Sequence, residues 1–174
     1  MKHFLIVVDI QNDFVNGALG TKEAESIIAP ASEKIKSFDG EIFVTYDTHL
    51  KDYLTTAEGK KLPVEHCIKD TDGWQLNGEI QKALNDKKYT AVEKLTFGST
   101  ELPVLIKEAA GEDNFDITLI GLCTDICVVS NALILKANFY DKKIIVDKNC
   151  CAGVTVESHN AALTTMQMCQ IEVV

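Results

Sequence analysis

The chain lacks any long apolar run. Its opening stretch "MKHFLIVVDIQNDF" holds five consecutive apolar residues, Phe4 to Val8, before Asp9 interrupts them. That is too short for a signal-peptide core and far too short to cross a bilayer, so a cytoplasmic protein with no membrane partner is expected. Positive charge is in deficit as well: 17 Lys and Arg face 26 Asp and Glu, a formal net charge of -9. Binding to a phosphate backbone needs clustered cations, and nucleic acid is therefore not an expected partner. Glycine is missing where a nucleotide-binding fold needs it. The segment "DIQNDF" after the first apolar run has none of the glycines of a dinucleotide or P-loop signature.

What is present points to an ordinary core. A chain of 174 residues fits a single domain, residues 1–174, and at this size roughly two-thirds of the unfolded surface can be buried without disulfides. The six cysteines, Cys67, Cys123, Cys127, Cys150, Cys151 and Cys169, are expected to stay reduced and, for the most part, to pack as small hydrophobes.

Short β-branched runs alternate with amphipathic stretches. Residues 3–9, 41–47, 89–94, 116–122, 142–147 and the terminal "QIEVV" read as six strands. Between them "KEAESIIAPASEKIKSF", "WQLNGEIQKALND", "LPVLIKEAAG", "DICVVSNALILKANFY" and "VESHNAALTTMQM" carry apolar residues at helical spacing. Strands that are apolar on both faces and joined by helix-length crossovers predict a Rossmann-like α/β fold. Three layers, α/β/α, would enclose a mainly parallel six-stranded sheet. Ligands in such sheets sit at the carboxyl ends of the strands. The reactive residues there are Asp9, Asp47 with His49, Lys94, and the Cys123 to Cys127 loop. Cys150 and Cys151 are expected in the turn after the fifth strand, His159 on a helix face, and Met166 and Met168 in packing.

A free thiol has a pKa near 8.5, and ionising it at neutral pH takes a shift of roughly two units, about 3 kcal/mol. A helix N-terminus supplies about 0.3–1 kcal/mol, which leaves Lys94 as the strand-end cation to favour a thiolate. Asp9 is placed to take a proton and hand it to a leaving amine. Each of these residues singly also has a plain reading, as a turn residue or a solvated lysine. Residues 48–73 show no periodicity, and long loops inside compact domains are usually functional. With the strand end just before them they offer Asp47, His49, Glu58 and His66. Four such residues in a polar loop commonly hold nothing, but imidazoles with carboxylates suit zinc, or less selectively manganese or iron.

Taken together, "FLIVVDIQNDF", "VEKLTFGST" and "GLCTDICVVSNA" resemble the isochorismatase-like cysteine hydrolases, especially their nicotinamidase and pyrazinamidase branch. The resemblance covers nearly the whole chain. It implies Asp9 as general base and acid, Lys94 as the cation and Cys127 as nucleophile. It also implies a cis bond at Leu122-Cys123 and an oxyanion hole from the backbone N–H groups of Cys123 and Cys127. Asp47, His49, Glu58 and His66 match the family's metal ligands, with zinc first among the ions. The ion there binds a pyridine nitrogen and orients the carboxamide. The expected partner is a small-molecule amide, and a homo-oligomer is expected because family members are often oligomeric. Phe14, Phe97 and Leu62 are the candidate walls for the substrate. Two positions depart from the branch: Leu62 and Pro63 stand where an aromatic often precedes the last His, and Glu101 stands where a Tyr is frequent. Hydrolysis of nicotinamide through a thioester is thus the first expectation. A ureido or carbamoyl amide, or a catalytically silent metal-binding domain on the same fold, are the alternatives.

Overall fold

The computed structural model describes residues 1–174. Six strands form one sheet: β1 (Lys2–Val8), β2 (Glu41–Asp47), β3 (Tyr89–Lys94), β4 (Phe115–Leu122), β5 (Lys143–Ala152) and β6 (Glu172–Val173). Their order is β3-β2-β1-β4-β5-β6, with every pairing parallel. Seven α-helices connect them: α1 (Asn12–Val15), α2 (Lys22–Ser26), α3 (Ile28–Ser37), α4 (Gly78–Leu84), α5 (Leu102–Ala110), α6 (Val129–Asn138) and α7 (Val156–Met168).

The two faces of the sheet follow from strand alternation. On β1, Phe4, Ile6 and Val8 pack toward α5, α6 and α7, whereas Leu5 and Val7 pack toward α2, α3 and α4. Parallel strands buried on both sides explain the near-continuous apolar runs. The chain winds outward from β1 to β2 and β3, then returns to lay β4 on β1's other side. The carboxyl ends of β1 and β4 therefore frame the switch point where a doubly wound sheet opens a crevice. Gly121 is needed there: its φ is 125°, and a Cβ on it would run into the Val8 carbonyl.

Three sequence expectations change. The single helical stretch over residues 22–38 is two helices, α2 and α3, hinged at Ile27. Pro30 has no N–H for the Ser26 carbonyl, and its ring would collide with that carbonyl in an unbroken helix. Strand β5 does not stop at Asp147: Cys150 and Cys151 lie within it and are buried. The polar run Asp147, Lys148 and Asn149 reads as a turn because β5 bulges here. Leu119 faces Val146, but Gly121 already faces Cys151. Met166 is fully buried while Met168 is exposed, so only the first packs. No helix is long and apolar enough to cross a membrane.

Candidate active site

Asp9 follows β1 with φ 46°, a left-handed conformation that few non-glycine residues adopt. Its N–H donates to the Thr45 carbonyl (3.3 Å), and the Thr45 hydroxyl donates to its Oδ1 (2.6 Å). Lys94 closes β3 directly opposite Asp47 in the β2–β3 register. Its Nζ lies 2.6 Å from Asp9 Oδ2, 3.5 Å from Asp47 Oδ1 and 3.6 Å from Cys127 Sγ. All four residues are buried. Lys94 holds Oδ2 in a buried ion pair while the Thr45 hydroxyl holds Oδ1. A carboxylate held in place beside a thiol is what a proton acceptor requires.

Cys127 sits in a π-helical turn, Thr124–Val128, that leads into α6. The peptide bond Leu122-Cys123 is cis. The Cys123 carbonyl accepts from Ile126 N–H (3.1 Å) and Val128 N–H (3.0 Å), whereas the Cys123 N–H donates to no group of the protein. The turn is pinned from outside. Asn131 Nδ2 donates to the Cys127 carbonyl (2.8 Å), His159 Nδ1 lies 2.8 Å from Thr124 Oγ1, and Asp125 accepts from Val154 N–H (3.2 Å). His159 is thus on a helix face, as expected, yet braces the turn that carries the thiol.

The charges run against a preformed thiolate. Burial pushes the Cys127 thiol well above its ordinary value and the Asp9 carboxylate adds to this, with Lys94 only partly opposing. Burial likewise raises the Asp9 carboxyl against the pull of Lys94. Lys94 is held protonated: burial works to lower it, but Asp9, Cys127 and Asp47 raise it further. One lysine already neutralised by a carboxylate cannot ionise a buried thiol by itself. Burial and Asp9 thus weigh against a thiolate while Lys94 weighs for one, with the carboxylate standing beside the thiol.

The end of β2 and the irregular chain after it bring the four candidates together. His49 Nε2 is 3.1 Å from Asp47 Oδ2, His66 Nε2 is 3.7 Å from the same oxygen, and Glu58 Oε1 is 3.7 Å from each imidazole Nε2. Asp47, His49 and His66 are buried and their donor atoms all lie within 4.8 Å of one another. Donors about 2.0–2.1 Å from a tetrahedral ion lie about 3.3 Å apart, so the spacing fits a divalent metal. His66 Nδ1 is 2.8 Å from the Val64 carbonyl. An N–H there leaves the Nε2 lone pair free to coordinate. Burial works to raise Asp47, but the His49 hydrogen bond and the Lys94 charge hold it below the usual carboxylate range. Burial works to lower His49, but Asp47 and Glu58 hold it up. Tyr53 packs its ring on both imidazoles, at 4.6 and 5.1 Å between centroids.

One pocket joins the two groups. It has about 340 Å³ of empty space including its mouth, and it is lined by Cys127, Cys123, Asp47, Glu58 and His66 with the apolar Phe14, Leu19, Leu62, Phe97 and Ile126. Phe14 is buried, 5.5 Å from the His66 ring, whereas Leu62 and Phe97 are 37% and 42% exposed at the rim. Glu101 starts α5 and is absent from the lining. Sequence reading missed Leu19 and Ile126, whose aliphatic side chains carry no chemical signal. It also missed Thr45, whose place two residues before Asp47 on an alternating strand was a usable hint.

A family model, the isochorismatase domain, matches residues 3–174. The nicotinamidase of Schizosaccharomyces pombe is 27% identical, over 98% of this chain and 91% of its own. The crystal structure of nicotinamidase PncA from Bacillus subtilis superposes with a TM-score of 0.82 at 27% identity, covering 99% of both chains. The pyrazinamidase of Pyrococcus horikoshii, solved in complex with zinc, shares the fold with a TM-score of 0.84 at 23% identity, over 100% of this chain and 99% of that one. This chain belongs to the isochorismatase family. Its enzyme class is that of the amidohydrolases acting on carbon–nitrogen bonds.

Proposed function

We propose that the protein is a metal-containing cysteine amidohydrolase that converts nicotinamide to nicotinate and ammonia. The observation that carries this reading is that Cys127, in contact with Lys94 and through it Asp9, lines one pocket with Asp47, Glu58 and His66, and that His49 completes the donor group behind them. Phe14, Leu62 and Phe97 would wall the ring, and nicotinamidases among the relatives supply the first substrate to try. A zinc ion held by Asp47, His49, His66 and Glu58 would supply a Lewis-acid contact for the ring nitrogen and fix the carboxamide over the thiol.

The chain's own groups then suffice for both half-reactions. Cys127 Sγ attacks the carbonyl carbon as its proton passes to Asp9 Oδ2, and the backbone N–H groups of Cys123 and Cys127 face the developing oxyanion. The carbon–nitrogen bond breaks as Asp9 returns the proton to the leaving nitrogen, giving ammonia and a thioester. Asp9 next takes a proton from water, whose oxygen attacks the thioester. The carbon–sulfur bond breaks, Asp9 returns its proton to Cys127, and the product leaves as the acid, which ionises to nicotinate in solvent. Lys94 holds Asp9 in place throughout and offsets negative charge as it moves between oxygen and sulfur.

A ureido or carbamoyl amide is the second reading, favoured by aliphatic walls at Leu19, Leu62 and Ile126 and by the absence of a tyrosine in the lining. The deciding experiment measures ammonia release from nicotinamide by the reduced, zinc-loaded protein beside Cys127→Ala. Rapid release lost in the variant supports nicotinamide hydrolysis by this thiol. A folded, zinc-bound sample that releases none from nicotinamide but does from a ureide would move the assignment to the second reading.

A further inference from the structure

Gln11 lies two residues beyond Asp9, is fully buried, and is unused by the reaction above. Its side chain meets the main chain of Asp47 on both sides. Nε2 donates to the Asp47 carbonyl (2.9 Å) and Oε1 accepts from the Asp47 N–H (2.8 Å). A second donation from Nε2 reaches the Trp74 carbonyl (2.8 Å). The primary amide thus continues the sheet for one more residue, imitating a paired strand where β1 has ended and β2 has not.

Asp47 is the residue with least tolerance for displacement. Its Oδ1 faces Lys94 at 3.5 Å, and its Oδ2 faces His49 at 3.1 Å and His66 at 3.7 Å. A rotation of the Asp47 peptide would pull one oxygen off the metal set or the other off Lys94. Nothing else fixes that peptide on the β1 side, because β1 pairs with β2 only as far as Val8 opposite Thr45.

We infer that Gln11 is a positioning residue for metal binding: its amide holds Asp47 so that one carboxylate serves the ion while the other oxygen serves Lys94. This rests on the metal-site reading, but it assigns a role that the ligand set does not contain. Hydrogen-bond partners behind metal ligands typically govern affinity by about 10–100-fold, so an effect of that size is expected.

The test compares zinc affinity of the wild-type protein, Gln11→Met and Asn12→Ala by competition with a chromophoric chelator, after circular dichroism shows all three folded. Methionine keeps the length and volume of Gln11 and removes all three hydrogen bonds. Asn12 is a matched control: its Nδ2 donates to the Asp72 carbonyl (2.9 Å), tying the same loop without touching Asp47. Gln11→Met is expected to bind zinc about 10–100-fold more weakly, with Asn12→Ala unchanged. Gln11→Glu is the second variant, for use if Gln11→Met does not fold. It can still accept from the Asp47 N–H but faces two carbonyls without a donor, and a similar loss is expected. Wild-type affinity in a folded Gln11 variant, or an equal loss in Asn12→Ala, would overturn the inference alone. A wild-type protein that binds no zinc would overturn it together with the metal-site reading.

Discussion

Two polar centres meet at the pocket, and they differ in how they are built. Asp9 and Lys94 come from two separate strand ends and Cys127 from the turn into α6, and all are buried. Asp47, His49, Glu58 and His66 come from one strand end and the irregular chain after it, whose only regular features are a short 3-10 turn, Tyr53–Thr55, and a bridge from His49 to Ile68. The first centre inherits its geometry from the sheet. The second depends on side chains that fasten a loop: Asp13 accepting from the Cys67 N–H (2.7 Å), Tyr53 donating to the Leu62 carbonyl (2.9 Å), and Gln11 on Asp47. Reactive groups that must meet within a fraction of an ångström sit on rigid elements, whereas ligands that an ion can draw together tolerate a loop.

The comparison is tested most severely by Cys127→Ala. On the reading above, nicotinamide hydrolysis should fall by roughly four orders of magnitude or more, while zinc affinity by chelator competition stays at the wild-type value. A large change in affinity would mean that the two centres are one. Next in size is Lys94→Met, which leaves Asp9 buried without its cation and should cost about 3–5 kcal/mol of stability in denaturant unfolding. Adding Asp9→Asn should recover most of that loss. If the double variant is no more stable than the single one, the pair does not anchor the first centre.

Chelation of the metal should act on the other centre. It should lower the unfolding temperature by about 5–10 °C relative to protein at about 100 times the zinc Kd, leaving the far-ultraviolet circular dichroism of the sheet and helices in place. Loss of that signal on chelation would show that the loop supports the fold and not only the ion. The smallest effect concerns the thiol. Because the Cys127 pKa is raised, the protonated form persists at neutral pH. Alkylation of Cys127 by iodoacetamide in metal-free protein should be slower than that of free cysteine at pH 7, and should quicken as pH rises. Asp9→Asn removes the neighbouring negative charge and frees Lys94 for the sulfur, so alkylation at pH 8 should speed up by about tenfold. Peptide mapping of the labelled residue checks both statements, and an unchanged or slower rate in Asp9→Asn would remove the carboxylate from the thiol's environment.

The sequence by itself determined where β1 to β4 end and which chemistry-bearing side chains stand there. Apolar periodicity fixes where parallel strands stop, and in a doubly wound sheet the stops are where chemistry gathers. Asp9, Lys94, Cys127 and the Asp47, His49, Glu58 and His66 set could all be named this way or by family resemblance. Details that depend on packing lay beyond it. The polar run in β5 gave no sign of a bulge, and Pro30's break between α2 and α3 was masked by continuous helical spacing. The tertiary structure alone decided how the charges are arranged, because burial depth and Lys94's division among Asp9, Asp47 and Cys127 exist only in the folded chain. It alone gave Gln11 a partner 36 residues away. A side-chain amide has no periodicity and no charge to betray it, and its role exists only once two strand ends lie side by side.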